Sequence, residues 1–255
     1  MRLARPVALT ALVALTALTA CSQHAGANNA AAPANLAAVP TNAPPVNAIA
    51  AADWAAAHGK TLARIFTPDI LGANVAYLET ITGPAFSTEG PDRTYKVDGC
   101  KVVVGVAKGR IANIGIDGVS PHCSFPIAQY FASGYGHPVP PFPTFGDIKD
   151  GFGGHYDADC LALCGNAADP VVTLSYQGSH ADNFNNLYAA IPIADEPQLA
   201  AYLDWSAKLT ARYGQDYVAN GKFHSGDALD DVAAKDFAKI HPQTLRIGQD
   251  LPVGR

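Results

Sequence analysis

The sequence predicts an α+β fold: helices packed on an antiparallel β-meander, followed by a second α+β half with two C-terminal helices. Three observations carry the prediction. Residues 94–116 hold three short runs of alternating apolar residues, joined by the turns Asp98-Gly99 and Lys108-Gly109, which is the pattern of a half-buried meander. The segment ahead of it, Ile70 to Ile81, spaces Leu71, Val75, Leu78 and Ile81 at helical intervals, an apolar stripe able to cover the meander. After residue 190 two longer stretches again have helical spacing. A chain of 255 residues is long enough to bury such a core.

Reading from the N-terminus, Met1-Arg2-Leu3-Ala4-Arg5 is a short basic stretch and Val7 to Leu18 an apolar run broken only by threonines. That run is too short to span a bilayer and has the tripartite form of a secretory signal. Its end, Leu18-Thr19-Ala20-Cys21, resembles the lipobox of bacterial lipoproteins. The resemblance implies cleavage after residue 20, a diacylglycerol thioether on Cys21 and acylation of the new N-terminus, which together anchor the chain firmly. By the same family's rule, Ser22 rather than Asp after the anchor implies the outer membrane, periplasm-facing, in a diderm source. Without residues 1–20 the charge goes from 17 − 22 = −5 to 15 − 22 = −7.

Residues 22–52 contain 13 Ala, 5 Asn and 4 Pro, and no Asp, Glu, Lys or Arg occurs between Arg5 and Asp53. Nothing there builds a core, so residues 21–52 read as the lipidated cysteine and a disordered tether. The remaining cysteines, Cys100, Cys123, Cys160 and Cys164, are even in number in an exported chain and read as two disulfides. Four cysteines admit three pairings. Nearest-neighbour pairing, Cys100 with Cys123 and Cys160 with Cys164, closes small loops, each within one half of the chain.

The first half covers residues 53–133. Asp53 starts a short helix with Trp54 and Leu62, and Thr67-Pro68-Asp69 is a helix-start signal. Gly72-Ala73-Asn74 is able to split the segment into two short helices. The meander follows as Thr94–Val97, Cys100–Ala107 and Ile111–Ile116. Residues 134–150 read as a Pro-rich connector around His137-Pro138-Val139-Pro140-Pro141-Phe142-Pro143. In the second half, 151–255, Gly151 to Gly154 is a loop, and Val171–Tyr176 and Phe184–Ile191 are strands. One helix runs from near Asp195 to Tyr213, with Leu199, Tyr202, Leu203, Leu209 and Tyr213 as its buried stripe. Asp227 opens a last helix with Leu229, Val232, Phe237 and Ile240, ended by His241-Pro242. No internal repeat is visible between the halves.

The order of helices around Gly72-Ala73-Asn74, then Gly83-Pro84, a Tyr-bearing hairpin and a strand ending at Ile116 resembles one helix–helix–strand–strand–strand unit. That unit occurs in the outer-membrane assembly lipoproteins of the SmpA/OmlA kind and in β-lactamase inhibitor protein. The likeness covers residues 68–117 and departs from the assembly lipoproteins in the extra cysteines and the longer C-terminal half. It implies a small protein-binding module and carries over no catalytic residue.

Chemistry-bearing motifs are few. The chain lacks a Gly-x-Ser-x-Gly elbow, a His-Glu-x-x-His helix, a P-loop and a Ser-x-x-Lys. Charged residues make up 15% of the chain and form no basic cluster, which argues against a nucleic-acid groove. Two His-x-Asp pairs, His155-Tyr156-Asp157 (with Asp159) and His180-Ala181-Asp182, would each place a nitrogen and an oxygen ligand on one side of an extended segment, able to hold zinc or another divalent ion. Phe142, Phe145, Phe152 and Tyr156 lie close together among Gly and Pro, as aromatic anchors for a partner or a glycan would. The reading that results is a lipid-anchored envelope protein, more a binder than an enzyme, with no cofactor and with an envelope protein as partner, acting as an assembly factor or inhibitor. The alternatives are a metal-dependent envelope hydrolase using the His-x-Asp pairs and a cell-wall glycan-binding module using the loop aromatics.

Overall fold

The structure is a computed structural model that describes residues 46–131, 137–164, 169–220, 223–224 and 227–251. Helices α1 (Val46–Ala57), α2 (Lys60–Ile65) and α3 (Val75–Thr82) precede strands β1 (Ser87–Glu89), β2 (Asp92–Val97), β3 (Cys100–Ala107) and β4 (Arg110–Asp117). Helix α4 (Phe145–Phe152) precedes β5 (His155–Ala158), β6 (Val171–Tyr176) and β7 (Asn186–Pro192). Helix α5 (Gln198–Tyr213), α6 (Gln215–Asn220), β8 (Phe223–His224), α7 (Asp227–Phe237) and β9 (Thr244–Gly248) complete the described chain. The α+β class holds.

The nine strands among the described residues belong to one antiparallel sheet, ordered β1-β2-β3-β4-β9-β7-β6-β5-β8. The last strand lies in the middle. On one side β9 pairs with β4, Ile247 opposite Ile114, and on the other with β7, Ile247 opposite Leu187. The two meanders thereby become one sheet. Each half has a helix followed by an antiparallel meander, of four strands (β1–β4) in the first and three (β5–β7) in the second, although their sequences show no repeat.

Local chemistry explains the elements. Asp98-Gly99 and Lys108-Gly109 have positive φ at both positions (49° and 86°, 51° and 77°), as the hairpin turn of type I′ requires. The Asp98 carboxylate also accepts from the backbone N–H groups of Thr61 and Leu62 at 3.2 and 2.9 Å, tying the first hairpin to the open N-terminus of α2. Asn74 caps α3 by accepting from the Ala76 N–H at 2.8 Å. The Pro68 start signal yields only a single 3-10 turn, Pro68–Ile70, so the helical segment is split at Gly72-Ala73-Asn74.

One face of the sheet is the core. Tyr95, Val102, Ile116, Leu245, Ala189, Leu174 and Tyr156 on successive strands are buried, and the helices supply Leu62, Leu78, Ile148, Trp205 and Phe237 against them in one continuous cluster. Disulfides Cys100–Cys123 and Cys160–Cys164 are present.

Several expectations need correction. The helix expected from Asp53 begins at Val46, inside the stretch read as tether. The connector ends early: Thr144 and Asp147 form a reciprocal capping box, with bonds of 2.8–3.1 Å, and start α4 at Phe145. Gly151 and Phe152, read as part of a loop, are the last residues of α4, and the extended His155-Tyr156-Asp157 segment lies on β5. On α5 the buried stripe is Tyr202, Trp205 and Leu209, whereas Leu203 and Tyr213 are 56% and 37% exposed. Leu203 sits one residue, a ~100° turn, off that stripe. The final helix ends at Phe237, and β9 follows it unforeseen.

Candidate functional site

The face of the sheet opposite the helices carries the other half of each strand's alternation. Many of its residues are half-buried or exposed, among them Thr94 and Lys96 on β2, Lys101 and Val103 on β3, Tyr188 on β7, Thr173 on β6, and His155 and Asp157 on β5, whereas Asn113, Gly115 and Ser175 on the same face are buried. The pairing registers arrange them in rows. One row crosses eight strands as Ser87, Thr94, Val103, Gly115, Arg246, Tyr188, Ser175 and His155.

At the centre of that row Arg246 folds flat along the sheet. Its two terminal nitrogens donate to both Asp92 carboxylate oxygens at 2.8 Å, on a strand three places away, and one of them also bonds the Asn113 side-chain oxygen. Asn113 accepts from the Gly105 N–H at 3.2 Å and donates to the Gln249 carbonyl at 2.9 Å. The path exists because its floor is glycine. A Cβ on Gly115 would come within 2.5 Å of the Arg246 Cγ, and one on Gly105 within 2.4 Å of the Asn113 amide. The guanidinium bonds of Arg246 hold the Asp92 carboxyl below its usual range, burial opposing. Arg246 is only 13% exposed, and beside it burial pushes the Tyr188 phenol up. Lys101 and Asp117 on adjacent strands also form an ion pair.

At the strand ends near the β3–β4 turn lies a separate cavity of about 580 Å³, lined by Arg110, Gln129, Asn185 and Gln249 among others.

The residues singled out from the sequence fall elsewhere. Phe145, Phe152 and Tyr156 are buried, at 0%, 7% and 0% exposure, because α4 and β5 turn them into the core. Phe142 stacks on His241 with ring centres 3.8 Å apart. These four do not form an exposed aromatic anchor. The His-x-Asp residues have separate tasks. His155 Nδ1 lies 2.7 Å from the buried Asp230, which also accepts from the Tyr156 N–H at 2.8 Å and lies 3.6 Å from Lys149. Asp159 accepts from the Val171 N–H at 2.8 Å. Asp182 caps its 3-10 turn through Ser179 and accepts from the Tyr176 hydroxyl at 2.9 Å. His180 meets the Phe184 ring edge-on. Asp157 lies on β5, two residues beyond His155.

Among the described residues, the two pairs do not converge on one centre. The one cluster of three ligand-type residues there is Cys100, His122 and Cys123, and its two sulfurs are joined to each other. Cys21 lies outside the described residues. No described helix is long and apolar enough to cross a membrane. Arg246 and Tyr188 escaped sequence reading because β9 was not foreseen and because the register that sets them side by side is not written locally. Comparison with protein-family models, curated proteins and solved structures finds no match for the chain.

Proposed function

We propose that this chain is a lipid-anchored, non-catalytic binding protein of the cell envelope, and that it docks a protein partner on the open face of its sheet. The observation that carries the reading is the centre of that face, where Arg246 and Tyr188 are opposed residues on neighbouring strands. Arg and Tyr are the residue types that dominate binding hot spots. Arg246 is already held flat by Asp92 and Asn113, so little conformational freedom remains for a partner to remove. The ion pairs Arg246–Asp92 and Lys101–Asp117 neutralise these four charges within the face. The signal and lipobox at residues 1–21 supply the anchor, and the acyl chains on Cys21 are the membrane contact.

Site-specific photocrosslinking in the native envelope tests the docking. A crosslinker at Val103 or Thr173 on the open face is expected to trap one dominant protein, and one at Leu203 on the helix side to trap none. Tyr188→Ala is expected to weaken that capture by about 30-fold, the effect of a hot spot worth ~2 kcal/mol, with the thermal melt unchanged. Equal capture from both faces, or capture indifferent to Tyr188→Ala, refutes the docking surface. Cys21→Ser releasing the chain from membranes, with loss of labelling by a fatty-acid probe, tests the anchor separately.

A further inference from the structure

Asp230 on α7 is 2% exposed, and side chains or backbone from α4 and β5 close on its carboxyl group. Oδ1 accepts from the Tyr156 N–H of β5 at 2.8 Å, and Oδ2 lies 2.7 Å from His155 Nδ1. Lys149 comes from α4. Its Nζ stands 3.6 Å from Oδ2, beyond hydrogen-bond range, and donates instead to the Gly154 carbonyl. An ion pair held by its charge alone closes to about 2.8 Å, as Lys208 and Asp204 do at 2.7 Å. Here the amine is held beside a carboxyl group whose two oxygens are both already bonded.

The pair is largely enclosed. The Lys149 side chain is 21% exposed and that of Asp230 3%, and the adjoining residues Ile148 and Tyr156 are fully buried. Burial penalises both charges, and moving one proton from Nζ to Oδ2 removes both at once. The neutral pair is an amine facing a carboxylic acid, and the groups around it match what their condensation requires. The Tyr156 N–H stabilises the negative charge that develops on Oδ1 when the carboxyl carbon is attacked. The Gly154 carbonyl accepts from the amine and fixes where Nζ sits. His155 Nδ1 faces Oδ2, the oxygen that departs, and the ring is 58% exposed, so it exchanges protons with water.

We propose that Lys149 and Asp230 condense into an intramolecular isopeptide bond. Nζ attacks Cγ, and the Cγ–Oδ2 bond breaks. The departing hydroxyl takes a proton from His155 and leaves as water, and the amine nitrogen gives up its extra proton to restore the ring. Nothing is oxidised or reduced, and no co-reactant is needed because the fold supplies the proximity. The amide ties α4 to α7 and closes residues 149–230 into a covalent loop that contains the whole second meander and α5. It forms once per chain and is independent of the docking face.

Mass spectrometry of the full chain, with its disulfides reduced and the protein then digested, tests the bond. A branched peptide joining the Lys149 and Asp230 segments is expected, lighter than their sum by one water. Lys149→Arg and Asp230→Ala should each abolish it. In a pulse–chase of newly made chain, His155→Gln should slow its appearance by about 100-fold, the effect of losing a general acid. Separate Lys149 and Asp230 peptides of full mass from the native chain overturn the proposal, and this readout does not depend on any variant folding. A branched peptide that persists in Lys149→Arg overturns it as well. Formation at the parent rate in His155→Gln overturns the role given to that ring.

Discussion

If β9 joins the two meanders into one sheet, loosening it must destabilise both halves together, and Ile247→Ala is the cleanest way to loosen it. Ile247 is fully buried and lies opposite Ile114 of β4 and Leu187 of β7. Truncating such a residue removes its transfer energy and leaves a cavity, at a cost of about 3.5 kcal/mol. With a urea slope of about 2.8 kcal/mol/M for an ordered region of this size, the midpoint falls by about 1.25 M. The chain carries its own reporters, because its two tryptophans, Trp54 on α1 and Trp205 on α5, fall one in each half and are both buried. Fluorescence of single-tryptophan variants (Trp54→Phe and Trp205→Phe) is expected to give coincident transitions before the substitution. After it, both should shift by the same amount, each measured against its own parent. A Trp54 transition that stays in place while the Trp205 transition moves would show two independently folding halves and refute the single-sheet argument.

Three further outcomes follow from particular contacts. Asp92 has its carboxyl lowered by Arg246, so the unfolded chain takes up that proton at higher pH than the folded one. The stabilisation is therefore present above pH ~3.9 and lost as pH falls through the lower folded-state value. Because Asp92 is 36% exposed, solvent screening keeps the effect below ~1 kcal/mol, and Asp92→Asn should flatten the acid limb of a pH–stability curve by that much. Tyr156 is raised well above the ordinary phenol range by burial, then by Asp230 and Asp150, and its hydroxyl has no bonding partner among the described residues. Above pH ~10 the unfolded chain ionises it first, so stability declines by about 1.4 kcal/mol per pH unit for this phenol. Chemical denaturation of Tyr156→Phe should remove that decline and cost little at pH 7. Replacing Cys100 and Cys123 by Ser, a separation of 23 residues, should cost about 3.4 kcal/mol by loop entropy. The same exchange at Cys160 and Cys164, 4 apart, should cost about 1.9 kcal/mol, so the calorimetric melts should rank in that order.

Local rules made the first meander readable. Two-residue turns, alternation and the pairing of Cys100 with Cys123 are all short-range properties: β3 has the bounds the sequence predicts, Cys100 is bonded to Cys123, and the alternation slips only at the bulge between Gly105 and Val106. The failures have a physical pattern too. Apolar residues among Gly and Pro were read as loop, yet Phe145, Ile148 and Phe152 are one buried face of α4. The capping pair Thr144 and Asp147 was present in the sequence to announce it. On α5, counting apolar residues selected Leu203, while the phase set by Tyr202 and Leu209 selects Trp205. Strand β9 is five residues long, Thr-Leu-Arg-Ile-Gly, with buried Leu245 and Ile247 alternating with the more exposed Thr244 and Arg246. Nothing local distinguishes it from an edge strand, because its central place depends on partners more than 50 residues away.

The same dependence explains why the candidate surface was illegible. The Arg246–Asp92–Asn113 network needs an arginine from the last strand, a carboxylate 154 residues earlier and an asparagine 133 residues earlier. It also needs glycines at 105 and 115 to leave room. Each of these taken alone has an ordinary explanation as a turn, a bulge or a solvated charge. Their joint meaning appears only when β9 fixes the registers on both sides. A strand drawn from the end of the chain thus does two things at once. It closes the core, and it sets Arg246 from the end of the chain beside Tyr188 from the second meander, on a floor supplied by the first. A partner seated on that pair would contact both halves and would bind only the fully assembled sheet, so unfolding of the fold and loss of binding should share one midpoint.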